Sequence, residues 1–371
     1  LKSIPKILLS ARDPAGVGNV IPLAQYFKEE GFDVQIAASE PAAGILHSMD
    51  INVIKFEIPH VQHKKDASLL NQMSRELLQT VSPDAVIVSL SSFGAGIDEA
   101  LLATAEVPTF AVQDFWGDVN LTLDVPAGLY FVIDDYAVRL SKERWGVKAV
   151  AVGGPKYTLY SQMDILSMRR KGRYLAGVGK NECLVGWFGQ SPEIPGHEDV
   201  FLDMIQAFSG LSGQRCKLLL REHPKFLEAH YAHMGAINDL GIDAFDATEN
   251  ESSEQWLAAC DVVITPFSLC GLDHAYLSAF SPIPIGTVLY AMTNPEIRDF
   301  SQQIAGFVRF PILERGLGSL VRDAAEFKNY LQRSLQPQVK ETYFELSKQM
   351  RMENSLNKIY QYVINTLKNT E

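Results

Sequence analysis

The sequence predicts an α/β chain made of two doubly wound parallel-sheet domains followed by a helical tail. Three observations predict it. Short apolar runs alternate with helical stretches along most of the chain, the pattern of βαβ units. The alternation is interrupted by Gly153-Gly154-Pro155 and then starts again. At 371 residues the chain is long for a single hydrophobic core.

The elements follow in order. Residues 6–10 form an apolar strand, the segment ARDPAGVGN a loop, and residues 20–30 a helix closed by Gly31. Residues 33–38 give the second strand and 52–56 a short third, with a helix over 66–81. DAVIVS, residues 84–89, is the fourth strand, with a helix over 98–105. Residues 107–112 and 129–133 are the fifth and sixth strands, and AVAVGGPKY, residues 149–157, is a short strand running into the glycines. A basic helical segment over 160–175 carries the domain boundary.

The second series opens with a strand over 183–188 that runs into GQSPEIPGHED. It continues with a helix over 198–209, a strand over 216–220 and a helix over 226–240. A short strand over 242–244, a helix over 252–259 and the strand DVVIT over 261–265 come next. A helix over 271–280, a strand over 283–285 and mostly helical residues 320–368 complete the chain. The domains are expected at 1–160 and 161–340, with a tail at 341–371 that packs back on the first domain.

Composition narrows the function. Hydrophobic residues make up 47% and charged residues 21%, as in soluble globular proteins. A formal net charge of −11 argues against nucleic-acid binding, which needs a basic face. It also disfavours unaided binding to anionic membranes, although a local basic patch leaves room for peripheral docking. Cys183, Cys216, Cys260 and Cys270 show no metal-type CxxC spacing and sit in apolar contexts, so free thiols in a reducing compartment are expected. With no signal-type segment or membrane-length apolar run at the N-terminus, a cytoplasmic location is the expectation.

The most informative stretch is LLLREHPK, residues 218–225. Its apolar half reads as a buried strand that delivers Arg221, Glu222, His223, Pro224 and Lys225 together at its carboxyl end. Ligands of wound α/β folds bind there, and two cations with an imidazole suit an anion.

Four segments taken in order carry a resemblance. ARDPAGVGNVIPLAQYF is similar to the glycine-rich loop of the MurG and lipid-A-disaccharide synthase group. LLLREHPK resembles the strand and HP turn of CDP-glycerol glycerophosphotransferases, non-hydrolysing UDP-GlcNAc 2-epimerases and bacterial sialyltransferases. CDVVITPFSLCGLDHAYLSAFSPIPI resembles the strand, Ser/Gly loop and acidic residue of the same families, and AVGGPKY their linker. Together they resemble the GT-B glycosyltransferase superfamily. The resemblance implies two Rossmann-like domains facing each other across a cleft. It also implies a nucleotide-activated sugar donor on the second domain and an acceptor of open identity on the first.

Each candidate residue keeps a plainer reading beside it. Gly16, Gly18 and Asn19 either bring backbone N–H groups to a substrate or form a tight turn. Asn19 stands where MurG-like sequences often carry His, and asparagine cannot act as a base. Asp13 is then the nearest catalytic candidate, as base or as a turn cap beside Arg12. Ser92, in SLSSFGAGIDE, lines a site or caps the next helix. Gln113, Asp114, Trp116 and Asp118 suit a sugar's apolar face and hydroxyl rim, unless Trp116 is core. Gly189, Gln190 and Ser191 hold a diphosphate or are merely polar loop. Arg221, His223 and Lys225 hold the nucleotide and stabilise the leaving diphosphate, unless Arg221 pairs with Glu222 or Asp246. Thr265, Ser268, Gly271 and Asp273 lie at a helix start, where the resemblance gives Asp273 the ribose hydroxyls and the plain reading gives it the helix dipole.

No DxD motif appears, and His63, His230 and His233 do not complete a ligand set, so neither metal nor cofactor is expected. The absent GxGxxG fingerprint excludes an NAD-dependent dehydrogenase. The expected activity is transfer of a sugar or related group from a nucleotide-activated donor. A non-hydrolysing 2-epimerase and a non-catalytic nucleotide-sugar binder are the alternatives. The sequence leaves the oligomeric state open.

Overall fold

The computed structural model describes residues 4–90, 94–190, 194–213, 215–223, 227–248, 252–305, 310–351 and 354–370. The chain begins β1 (Lys6–Ala11), α1 (Pro14–Glu29), β2 (Asp33–Ala38), α2 (Ala42–Ser48) and β3 (Ile54–Lys55). It goes on through α3 (Ser68–Val81), β4 (Ala85–Ser89), α4 (Ile97–Thr104), β5 (Thr109–Val112) and β6 (Leu129–Val132). Next come α5 (Asp135–Trp145), β7 (Ala149–Ala151), α6 (Tyr157–Tyr160), α7 (Ile165–Leu175) and β8 (Cys183–Phe188). These lead to α8 (His197–Ser209), β9 (Cys216–Arg221), α9 (Leu227–Asp239), β10 (Ala244–Asp246) and α10 (Ser253–Ala259). The rest is β11 (Val262–Thr265), α11 (Cys270–Phe280), β12 (Thr287–Ala291), α12 (Pro295–Ala305), α13 (Pro311–Glu314), β13 (Ser319–Val321), α14 (Ala324–Ser334), α15 (Pro337–Ser347) and α16 (Ser355–Thr370).

Two compact units result: Leu1–Leu159 with Met352–Glu371, and Tyr160–Arg351. Among the described residues the first holds a sheet in the order β3-β2-β1-β4-β5-β6-β7 and the second one in the order β10-β9-β8-β11-β12-β13. Every pairing within these two sheets is parallel, so helices cover both faces and the central strands are apolar on both sides. That is why KILLSA, AVIVS and CLVGWF read as continuous apolar runs and are almost wholly buried. Each sheet reverses its winding once, between β1 and β4 and between β8 and β11. The carboxyl ends at these switch points are where such sheets take ligands.

Several expected elements change. The loop over 15–19 is helix: Asp13 caps α1 by accepting from Gly16 N at 3.1 Å, and Pro14 stands at the first helical position. The strand expected at 283–285 forms instead at β12, because Pro282 and Pro284 lack N–H donors and TVLYA carries the β-branched residues. The basic segment 160–175 holds the end of α6 and then α7. Helix α5 has no counterpart among the expected elements, although Asp134 caps it at 2.9 Å and Gly146 closes it in the left-handed conformation. Within the stretch expected to be helical, β13 adds an edge strand beside β12.

The C-terminal end divides between the units. α15 belongs to the second. α16 belongs to the first, where Ile359 and Val363 are buried and the Tyr360 ring lies 5.8 Å from Phe27 and 5.9 Å from Phe32. In the second unit, Asp261 at the entry to β11 meets Arg169 at 2.8 Å, Arg173 at 2.7 Å and Lys340 at 2.9 Å. Burial opposes its charge, but the three cations and the Leu184 N–H hold its carboxyl at about 2. Two cations of the basic run of α7, Arg169 and Arg173, serve this staple. Among the described residues no helix is long and apolar enough to cross a membrane.

Candidate functional site

In the second unit the β8/β11 switch point gathers most of the expected nucleotide residues. Gly189 N donates to Arg221 O at 2.9 Å, laying the ends of β8 and β9 side by side. A Cβ on Gly189 would strike Glu222 Oε2 and come within 3.2 Å of His223 N, so only glycine fits. Gln190, with its amide oxygen turned to the loop after β11, accepts from Phe267 N at 3.1 Å and Ser268 N at 2.9 Å. That oxygen braces two loops across the switch point and is not presented to a ligand.

Gln190 N donates to His197 Nε2 at 3.2 Å, so His197 is neutral with its proton on Nδ1. Burial first, and then His233 and His223, press its pKa down to about 4. His233 Nδ1 lies 2.6 Å from Glu222 Oε1 and its Nε2 2.9 Å from Glu198 Oε2, while its ring stacks on Phe201 at 3.7 Å. Glu222 therefore pairs with His233, and Asp246 with His230. Arg221 donates to Ala247 O at 2.6 Å and Ser253 Oγ at 3.3 Å, holding the connection from β10 to α10. His223 is half-buried at the end of β9.

The helix start after β11 also divides. Ser268 Oγ accepts from Cys270 N at 3.1 Å and caps the first turn of α11. Gly271 is a packing glycine, since a Cβ would collide with the Tyr290 hydroxyl. Asp273 is buried in that turn; burial first, then the charges of Asp273 and Glu254, raise the Tyr160 phenol. Thr265 ends β11 with its hydroxyl buried and without a hydrogen-bond partner among the described residues. Ser191, Lys225 and Ser92 lie outside the described residues.

In the first unit the loop after β5 separates into an inner and an outer half. Trp116 is buried and donates to Asp134 Oδ2 at 3.0 Å; it is a core residue and cannot stack on a sugar. Gln113 is buried too, bonded to Asp118 O at 2.6 Å, Ser141 Oγ at 3.2 Å and Gly117 N at 3.3 Å. These two are corrections to the expected sugar contacts. Asp114 and Asp118 stay partly exposed, within the electrostatic reach of Asp13. Burial, then Asp13 and Asp118, raise Asp114 to about 8 against Lys156. Burial and Asp13 raise Asp118 to about 6 against Arg144.

Within the glycine motif, Gly16 is a packing position. A Cβ on Gly16 would run into the Ser89 side chain, with Ala11 Cβ at 3.2 Å, so Gly16 lets α1 close on the sheet. Gly18 faces Lys156 Cβ at 3.4 Å, and Asn19 is buried with its Oδ1 3.4 Å from Lys156 N. Beside this, a cavity of about 340 Å³ opens at the carboxyl ends of β1 to β3, with Arg12, Ser39, Lys55 and Phe56 among its walls. The cavity carries no sequence motif; the strand-end positions of Asp13, Asp114 and Asp118 pointed to the carboxyl trio. Among the described residues no group of three His, Cys, Asp or Glu is placed to hold a metal ion. His230 pairs with Asp246 at 3.0 Å, and no disulfide joins the cysteines.

No family model and no curated protein matches the chain. Solved structures do. A UDP-GlcNAc 2-epimerase from Neisseria meningitidis bound to UDP-GlcNAc is 11% identical, with a TM-score of 0.72 over 97% of this chain and all of that one. A glycosyltransferase from Rickettsia africae is 14% identical, with a TM-score of 0.66 over 99% of this chain and all of that one. The chain has the GT-B fold. An Anabaena protein in complex with UDP and glucose shares it at 17% identity and a TM-score of 0.62, covering 98% of this chain and all of that one. In GT-B terms each unit is one Rossmann-like half, and each keeps its own switch point.

Proposed function

We propose that this chain acts on a nucleotide-activated sugar, with the nucleotide on the second unit and proton transfer assigned to carboxyl groups of the first. The observation that carries the reading is the β8/β11 switch point, where Gly189 clears the backbone, Gln190 braces the opposite loop and His223 stands half-buried at the strand end. The fold-mates crystallised with UDP-GlcNAc, or with UDP and glucose, make uridine nucleotides the first candidates.

The reaction favoured is transfer. The bond from the anomeric carbon to the phosphate oxygen breaks, and the diphosphate leaves with the electron pair. An acceptor hydroxyl bonds to that carbon and gives up its proton to a carboxylate. Asp118, at about 6, is ionised at neutral pH and fits the base. Asp114, at about 8, keeps its proton and fits an acid or hydrogen-bond donor. Asp13 tunes both while capping α1.

The same trio favours a second reading, epimerisation at C2. There one carboxylate removes the C2 proton as the C1–oxygen bond to the nucleotide breaks, and a protonated carboxyl then delivers a proton to the other face of C2 as the nucleotide adds back to C1. Thermal-shift titration with UDP, CMP, CDP and GDP tests the shared claim, with stabilisation by one of them expected; a flat panel sinks both readings. NMR of the matching nucleotide sugar then separates them. An inverted C2 signal without acceptor means epimerase, and release of nucleotide only with an acceptor means transferase.

A further inference from the structure

We infer that Glu198, His233 and Glu222 form a positioning relay that sets the strand end at the nucleotide site. The inference rests on the nucleotide reading for its consequence, but not for its geometry. Glu222 stands one residue before His223, and its second oxygen sits where any Cβ on Gly189 would fall. His233 holds the first oxygen at 2.6 Å and ties it through Nε2 to Glu198 on α8 at 2.9 Å. Three elements, β9, α8 and α9, are thus joined through one imidazole that is 1% exposed.

The chemistry fixes the state of the ring. A neutral imidazole has one N–H and cannot donate to two carboxylates; the imidazolium can. Burial disfavours that charge, but Glu222 and then Glu198 raise the His233 pKa above its ordinary value. The titratable groups facing the ring are Glu222 from the end of β9 and Glu198 and His197 from α8, with His223 within electrostatic reach of His197. His230, on the same helix, is engaged with Asp246. His197, at about 4, stays neutral throughout the working range and adds no competing charge. When pH rises past the His233 pKa, one carboxylate loses its donor and the buried cluster becomes more negative. Glu222 then loosens, and Gly189 and His223 move with it. An anionic nucleotide is disfavoured by the same change.

The test compares the wild-type chain with His233→Gln and with the neutral pair His233→Gln/Glu222→Gln. Without ligand, the amide signals of Gly189 and His223 should titrate above pH 6.5 in wild type and stop doing so in His233→Gln. Exchange of the Gly189 amide, bonded to Arg221 O, should quicken about tenfold or more in the single variant and slow again in the pair. Amides that ignore the substitution overturn the inference whether or not any nucleotide binds. With UDP as probe, wild-type affinity should fall about tenfold from pH 6 to pH 9, while His233→Gln is weak and flat. Binding that is equal and equally pH-dependent in both proteins also overturns it. If UDP binds neither protein, the nucleotide reading fails and the amide data alone decide the relay.

Discussion

Asp114 and Asp118 lie four residues apart on one loop, yet one is held at about 8 and the other at about 6. Burial leads in both, and the difference follows from the neighbours. Asp114 feels both Asp13 and Asp118 against Lys156, whereas Asp118 feels Asp13 against Arg144. Asp13 raises both, so Asp13→Asn should lower both titrations, read by carbon NMR of the carboxyl groups, while asparagine still caps α1. Unmoved titrations would remove Asp13 from the cluster. Because these pKa values are raised on folding, the folded unit binds more protons than the unfolded chain between about pH 4 and pH 8. Its stability therefore falls as pH rises through that window. Asp114→Asn should flatten that fall in a thermal melt. Only part of this was legible in the sequence. VQDFWGD announced a carboxylate-rich strand end, but an irregular loop has no period to say that Gln113 and Trp116 turn inward.

Elements were legible where the pattern was strong. The apolar runs of β1, β4 and β8 stand within a residue of their expected places, because a strand buried on both faces leaves no polar alternation to misread. The glycine motif was ambiguous for the opposite reason: glycine marks both a loop and a close helix-to-sheet approach, and α1 uses Gly16 for the second. The two glycines should therefore separate on substitution. Gly16→Ala drives a methyl into Ser89 and should cost about 1–3 kcal/mol of stability. Gly18→Ala meets only the Lys156 stem at 3.4 Å and should be neutral or slightly stabilising, because alanine is the better helix former. Equal effects in urea melts would refute the packing account. The basic run of α7 hid a second element-scale feature, since its partner Asp261 lies far along the chain. Asp261→Asn strands three buried or half-buried cations and should destabilise the second unit by about 3–5 kcal/mol. The Asp261 pKa is lowered on folding, so its contribution is complete above the unfolded value of about 3.9 and is lost as pH falls towards 2. Urea melts at pH 7 and pH 2.5 should show the variant penalty shrinking at the lower pH.

At the scale of the whole molecule, the first unit is assembled from two distant pieces of chain, and the second is inserted between them. The sequence signalled two α/β series and an amphipathic tail, but not where the tail divides. Amphipathicity shows that a face is buried without saying against what. The division has a physical consequence. Ile359 and Val363 are fully buried in the first unit's core, and truncating a buried aliphatic side chain typically costs about 2–5 kcal/mol. Ending the chain after Arg351 removes both, together with the Tyr360 contacts to Phe27 and Phe32. That loss approaches the whole stability of an ordinary domain, about 5–15 kcal/mol. The four tryptophans divide evenly and report on it: Trp116 and Trp145 lie in the first unit, Trp187 and Trp256 in the second. In the truncated chain the indole N–H signals of Trp116 and Trp145 should collapse toward the unfolded position. Those of Trp187 and Trp256 should keep their dispersion, because the Asp261 staple and the core of the second unit are intact. Collapse of all four would mean that the units do not fold independently, and retention of all four would mean that α16 adds little to the core it completes.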